Sequence, residues 1–237
     1  ATDKFFPNMG QLPVIVPILV ALGVGGLLGT INGSLIAFTG IPAFIATLGM
    51  TTIARGLTLM YTGGKPISQL TPEFRFLGDK IGFMPVPVLI YGVMILITWV
   101  LLNYTSFGKN IYAIGGNVKA AEVSGVNVKK NTVLIYLYAG LMYGVAALVF
   151  AGRVGSVHPG AATGYELTAI AATTIGGTSH AGGIGTIGGA VIGALILSVL
   201  RNSLTLLGVQ AYWQQIVEGA LIIGAVIIDM RKHRKKS

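Results

Sequence analysis

Three ionisable residues stand inside otherwise apolar stretches of this chain: Arg55, Arg201 and Glu218. Burying such a group in a membrane is costly unless it is paired or wet. Arg201 and Glu218 lie at nearly equal distance on either side of the turn Gly208–Ala211, so they can meet at similar depth as an intramembrane ion pair. Two readings stay open for them, a neutralising pair or snorkelling Arg and a working charge on a transport path. Asn32, Thr47, Thr173 and Thr174 offer hydrogen bonds from segments with small or apolar neighbours, which suits a translocation path for a hydroxylated solute and equally suits core packing. Glu166 invites a substrate role, but Thr163-Gly-Tyr-Glu166 has the spacing of a capping box, and a cap is the expectation. His158 and His180 have no second ligand at metal spacing. The absence of cysteine removes disulfides, thiolate sites and a Cys nucleophile. No Ser/His/Asp order, paired-carboxylate motif or HExxH occurs, and Gly108–Gly115 lacks the Gly-Lys-Ser/Thr ending of a phosphate loop. These residues call for no catalytic group, metal or cofactor.

The elements that must position them are membrane-spanning helices. Only 10% of the 237 residues are charged while 53% are hydrophobic, too few charges for the skin of a soluble domain. The 35 glycines fit lipid, where small residues let helices approach closely. A hydrocarbon core of about 30 Å needs roughly 20 helical residues. The expectation is an all-α polytopic bundle of about seven spans: Leu12–Phe38, Ala43–Tyr61, Pro85–Asn103, Thr132–Phe150, Gly185–Leu207, Tyr212–Asp229 and a short segment, Tyr165–His180, that spans thinly or re-enters.

The net charge of +9 is concentrated in a central loop (Lys109, Lys119, Lys129, Lys130) and a tail (Arg231, Lys232, Arg234, Lys235, Lys236). That is the pattern of cytoplasmic segments, and no basic stripe interleaved with aromatics points to nucleic acid. If loop 104–130 and tail 230–237 are both cytoplasmic, the chain between them crosses an even number of times, and Tyr165–His180 must cross. Thr62–Met84 and Ala1–Gln11 then lie outside. The opening residues resemble no signal peptide and include no initiator Met, so the expectation is a single transmembrane domain, 1–237, incomplete at its N-terminus. Tyr212 and Trp213 read as interfacial anchors.

Two segments, Gly26–Ala37 and Gly182–Gly193, share a pattern of Gly, Thr and Ile in register, a hint of an inverted repeat against a background where such matches arise by chance. Each carries a small-xxx-small ridge (Gly25, Gly29, Gly33 and Gly185, Gly189, Gly193) that favours close helix crossing. In the central loop Gly115-Gly116-Asn117 is a turn signal, Asn117 a candidate N-cap, and Val118–Ser124 a short helix closed by Gly125.

At this loop the sequence resembles the permease subunits of bacterial ATP-binding-cassette importers of the ribose, galactose, xylose and arabinose class. The likeness runs through Gly108-Lys-Asn, Ile41–Met50, Arg55-Gly-Leu, Tyr61–Ile67, Ala151–Ser156, Gly164–Ala172, Ile175–Ser179, Gly183–Thr186 and Tyr212-Trp-Gln-Gln. Three departures stand out: the family's first helices are missing, Thr168 stands where an Asp is expected, and Lys119 replaces an acidic residue before Ala120-Ala121.

The resemblance implies a multi-pass protein of the bacterial inner membrane that carries a monosaccharide by alternating access. Its partners would be a second permease copy, separate ATPase subunits, an outer sugar-binding protein and membrane lipid. It also implies a coupling role for Gly115, Gly116, Asn117, Ala120, Ala121, Ser124 and Gly125, with Ala120 and Ala121 allowing close contact in an ATPase cleft. An ion-driven secondary transporter and an importer of nucleosides or other small polar solutes remain the alternatives.

Overall fold

The computed structural model describes residues 13–68 and 70–234. The expected outer segment Ala1–Gln11 and the end of the basic tail, Lys235–Ser237, lie outside the described residues. In chain order the helices are α1 (Ile15–Thr39), α2 (Ala43–Thr62), α3 (Pro72–Arg75), α4 (Val86–Tyr104), α5 (Ser106–Gly116), α6 (Val118–Val123), α7 (Val128–Val154), α8 (Tyr165–Ile175), α9 (Ile187–Leu206) and α10 (Ala211–Arg234). Between α3 and α4 lie a 3₁₀ turn, Phe76–Gly78, and an antiparallel hairpin of β1 (Lys80–Ile81) and β2 (Met84–Pro85).

The architecture is all-α and polytopic. Five helices, α1, α2, α4, α7 and α9, are long and apolar enough to cross a membrane. The other two expected spans differ from these. The apolar part of α10 is Ala211–Ile227. The 11 residues of α8 span only about 16 Å at helical rise, short of a hydrocarbon core. Its helix stops at Ile175 because Gly177 takes φ +88° and turns the chain, five residues before the expected end at His180.

The chain forms two compact units. One comprises the chain up to Ile97 together with Asn127–Ala161; the other comprises Thr98–Val126 and Ala162 onward. In the first, α1 packs along α7. Here the glycine ridge decides the geometry. A Cβ on Gly25 would collide with the Gly140 carbonyl, one on Gly29 with the Tyr136 carbonyl, and one on Gly33 would sit 2.8 Å from the Val133 Cα. Gly26, Gly29, Gly33, Gly140 and Gly144 are buried. Large side chains such as Leu19, Leu27, Phe38 and Phe44 are exposed. Lipid tails offer no hydrophobic penalty to those side chains, so close backbone contact replaces a core of large residues. The polar hairpin region is fastened to the end of α7: Ile67 and Val157 exchange backbone hydrogen bonds of 2.9 Å, and Gly78 lies against the Gly152–Arg153 backbone.

In the second unit α8 packs on both α9 and α10, around a small core of Ala171, Ala172 and Leu197. The second glycine ridge works here, since a Cβ on Gly193 would strike the Ala172 carbonyl and one on Gly189 the Gly176 carbonyl. The two segments of the suspected repeat diverge in structure. Gly26–Ala37 is helical throughout, whereas Gly182–Thr186 is turn and only Ile187 begins α9. Gly182 and Gly183 at φ +95° and +72° account for the difference.

Candidate functional site

The central segment holds more structure than its glycines suggest. Thr105 caps α5 by accepting the Gly108 N–H at 3.3 Å, and Asn117 caps α6 by accepting the Ala120 N–H at 3.0 Å. Gly115 and Gly116, expected as a turn, form the last turn of α5, and the break falls at Asn117 in extended backbone at ψ 107°. Gly108 sits where a Cβ would clash with Leu102 of α4, which explains how α5 folds back tightly after Tyr104. The C-terminal end of α6 is closed at Ser124, with Gly125 at φ +84°.

Of the candidate coupling residues, Gly116, Asn117, Ala120, Ser124 and Gly125 are exposed and Gly115 is half-buried. Ala121 is only 3% exposed, the one buried residue of a helix that packs on α5, so its face belongs to this chain's own packing. The surface open to a partner is formed by Val118, Lys119, Ala120, Glu122 and Val123, the last 90% exposed.

Arg201 of α9 and Glu218 of α10 are in bidentate contact, Nε to Oε1 at 2.5 Å and Nη2 to Oε2 at 2.9 Å. Thr168 of α8 accepts a third, longer bond from Nη2 at 3.4 Å, and the Tyr165 ring lies 6.0 Å from the guanidinium carbon. The helix α8 thus presents a hydroxyl to the pair at the position where an acid was anticipated from the resemblance. With both carboxylate oxygens held by one guanidinium, Glu218 is arranged for charge neutralisation.

The four path candidates differ in what they leave unmet. Thr47 bonds its own helix at the Ala43 and Phe44 carbonyls, 2.9 and 3.2 Å away, and Thr173 likewise bonds Ala169 and Ile170. Thr174, buried, lies 2.7 Å from the Ile170 carbonyl and 2.7 Å from Nε2 of His180. Asn32 keeps a buried Oδ1 without a hydrogen-bond partner, alone in this among the described residues. Asn32 and Thr47 belong to the first unit, Thr173 and Thr174 to the second.

At Thr163–Glu166 the helix begins one residue later than the expected capping box requires, with Gly164, at φ +85°, in the N-cap position after Ala162 at φ +59°. His158 accepts the Gly160 N–H at 3.0 Å within its loop. Sequence reasoning passed over Tyr112 and weighed His180 only as a metal ligand. Tyr112 donates to the Gly185 carbonyl at 2.9 Å across 73 residues of chain. A Thr105 cap ahead of Ser106-Phe-Gly-Lys is the one local signal that marks α5 as a helix.

Membrane-length helices, glycine crossings, an ion pair between two helices and a capped polar helix pair define a polytopic helical membrane protein. The chain is a member of the family described as "branched-chain amino acid transport system / permease component", which matches residues 3–226. It is 42% identical over 242 residues to a galactose/methyl galactoside import permease protein of Haemophilus influenzae, covering 99% of this chain and 72% of the relative. The Escherichia coli protein of the same name is 40% identical with the same coverage. A ribose import permease protein of Escherichia coli is 42% identical over 227 residues, 94% of this chain and 71% of the relative. No solved structure matches the chain.

Proposed function

We propose that this chain is the membrane-spanning subunit of an ATP-driven importer that carries a monosaccharide across the bacterial inner membrane by alternating access. The observation that carries this reading is the 40–42% identity, over 94–99% of the chain, to permeases named for galactose and ribose import. That likeness favours a sugar over the branched-chain amino acids of the broader family's description. In this reading segment 104–130 and the basic tail are cytoplasmic, and the exposed face of α5–α6 docks on separate ATPase subunits. A second permease copy completes the pathway, and a sugar-binding protein delivers from outside. The docking residues are Gly116, Asn117, Ala120, Ser124 and Gly125, with Gly115 and Ala121 shaping the helix pair beneath them. Asn32, Thr47, Thr173 and Thr174 are the pathway candidates, and the unpartnered Oδ1 of Asn32 offers an acceptor to a sugar hydroxyl. An ion-driven mechanism needs a carboxylate free to take up the coupling ion, and the bidentate hold of Arg201 on Glu218 speaks against that use.

Copurification of the complex from native membranes, followed by uptake in proteoliposomes, tests the reading. Uptake of labelled galactose or ribose is expected to require ATP and the binding protein, to persist after collapse of the proton gradient, and to resist competition by leucine. Uptake that needs the gradient but not ATP would sink the proposal.

A further inference from the structure

The turn between α8 and α9 is a tied body. The Thr178 N–H donates to the Thr173 carbonyl at 2.9 Å, the Ser179 N–H to the Ile184 carbonyl at 2.9 Å, and the Gly182 N–H back to Ser179 at 3.3 Å. Ser179 is buried and its hydroxyl accepts the Ala181 N–H at 3.1 Å. Left-handed backbone at Gly177, Gly182 and Gly183 makes this folding available.

On one side the turn is joined to α5. Tyr112 donates to the Gly185 carbonyl, and the two backbones touch without any intervening side chain. A Cβ on Gly115 would lie 2.5 Å from the Gly183 nitrogen, and one on Gly183 would lie 2.8 Å from the Gly116 Cα. On the other side the turn is joined to α8 through His180 and Thr174. The single hydroxyl proton of Thr174 serves the Ile170 carbonyl, so both short contacts are satisfied when His180 carries its proton on Nε2 and donates it to Thr174.

We infer that the turn Gly176–Thr186 is a second transmission element, which delivers displacement of α5–α6 to the short polar helix α8, with Tyr112 and His180 as its positioning residues. The inference rests on the reading of α5–α6 as the ATPase-docking segment. Its physical basis is stiffness: backbone-on-backbone contact at Gly115 and Gly183 has no side chain to rotate away, and packed interiors pass on strain. The far end of the path is Thr174, one residue from Thr173 and on the helix that also touches the Arg201–Glu218 pair. A movement at the docking face would therefore reach polar groups of α8 through two hydrogen bonds and one glycine contact.

The test is the ratio of sugar taken up to ATP hydrolysed, measured in proteoliposomes on complexes that pass gel filtration intact. Tyr112→Phe is expected to keep assembly and ATPase rate while lowering that ratio about three- to tenfold, the scale of one lost hydrogen bond. His180→Ala should lower it similarly. His180→Gln, whose amide can still donate to Thr174, should restore it, an outcome that a merely structural histidine would not predict. Tyr104→Phe, at an exposed ring, is the control and should leave the ratio unchanged. The inference is overturned if Tyr112→Phe and His180→Ala both retain the wild-type ratio, or if His180→Gln is no better than His180→Ala. Failure of the underlying reading would be seen separately, as wild-type complexes with no ATP-dependent uptake, and would overturn both.

Discussion

At the scale of single residues the Arg201–Glu218 pair illustrates how two groups that are each unfavourable in an apolar bundle become acceptable together. The planar guanidinium fork meets both carboxylate oxygens, and Thr168 takes a further donor. Removing one partner leaves the other with nothing to neutralise it. Glu218→Ala is expected to cost about 1.5–3 kcal/mol, the scale of a hydrogen bond to a charged group, read as a lower melting midpoint of the detergent-solubilised protein. The double replacement Arg201→Met with Glu218→Leu should recover part of that loss, because an ion pair among apolar helices is often replaced by apolar residues at little cost. A Glu218→Ala protein that melts normally yet fails to transport would assign the pair to the path instead. The approach of these two residues was legible because both count back to one short turn. The start of α8 shifted by one residue for an equally local reason, the left-handed turn through Ala162 and Gly164.

At the scale of elements, glycine does the work that large side chains do in a soluble core. Along α1 the ridge glycines meet the α7 backbone, whereas Gly23, off that ridge, has open space around its Cβ position. Gly29→Ala should therefore destabilise by about 1–3 kcal/mol through overpacking. Gly23→Ala should be neutral or slightly stabilising, since Ala is the better helix former by about 1 kcal/mol. Thermal unfolding of the two variants side by side distinguishes a ridge from mere glycine abundance, and equal effects would refute the ridge. The ridges were readable from small-xxx-small spacing. The partner of the first was not, because α7 lies far along the chain, whereas the second ridge meets α8, the helix just before it. The pair α5–α6 shows the same division: the Asn117 cap follows from sequence, while the inward turn of Ala121 depends on α5 packing beside it.

For the whole molecule, the proposed sides of the membrane rest on the placement of basic residues, and the absence of cysteine from this sequence makes the proposal easy to test. Val123→Cys on α6 and Phe83→Cys at the hairpin tip introduce thiols at positions 90% and 99% exposed. In right-side-out spheroplasts an impermeant maleimide is expected to label the second and spare the first, and inverted vesicles should reverse the result. Labelling of Val123→Cys from outside would invert the proposed topology. The contacts of Tyr112 and Gly115 with Gly185 and Gly183 place the turn after α8 on the same side as α5.

Length, hydropathy and local cap signals by themselves determined that this chain is a polytopic helical membrane protein, where its long helices run, and which loop carries a short capped helix, while the permease family came from the resemblance and is shown by the relatives. Those features are local: lipid demands about 20 apolar residues per crossing and a cap needs only a side chain three residues from its donor. Tertiary structure alone decided that Thr174 pairs with His180, that Ala121 faces inward, and that a glycine turn joins α5 to α8. Tyr112 and Gly185 are 73 residues apart, and no local pattern records either that hydrogen bond or the contact of Gly115 with Gly183, where two backbones without side chains touch.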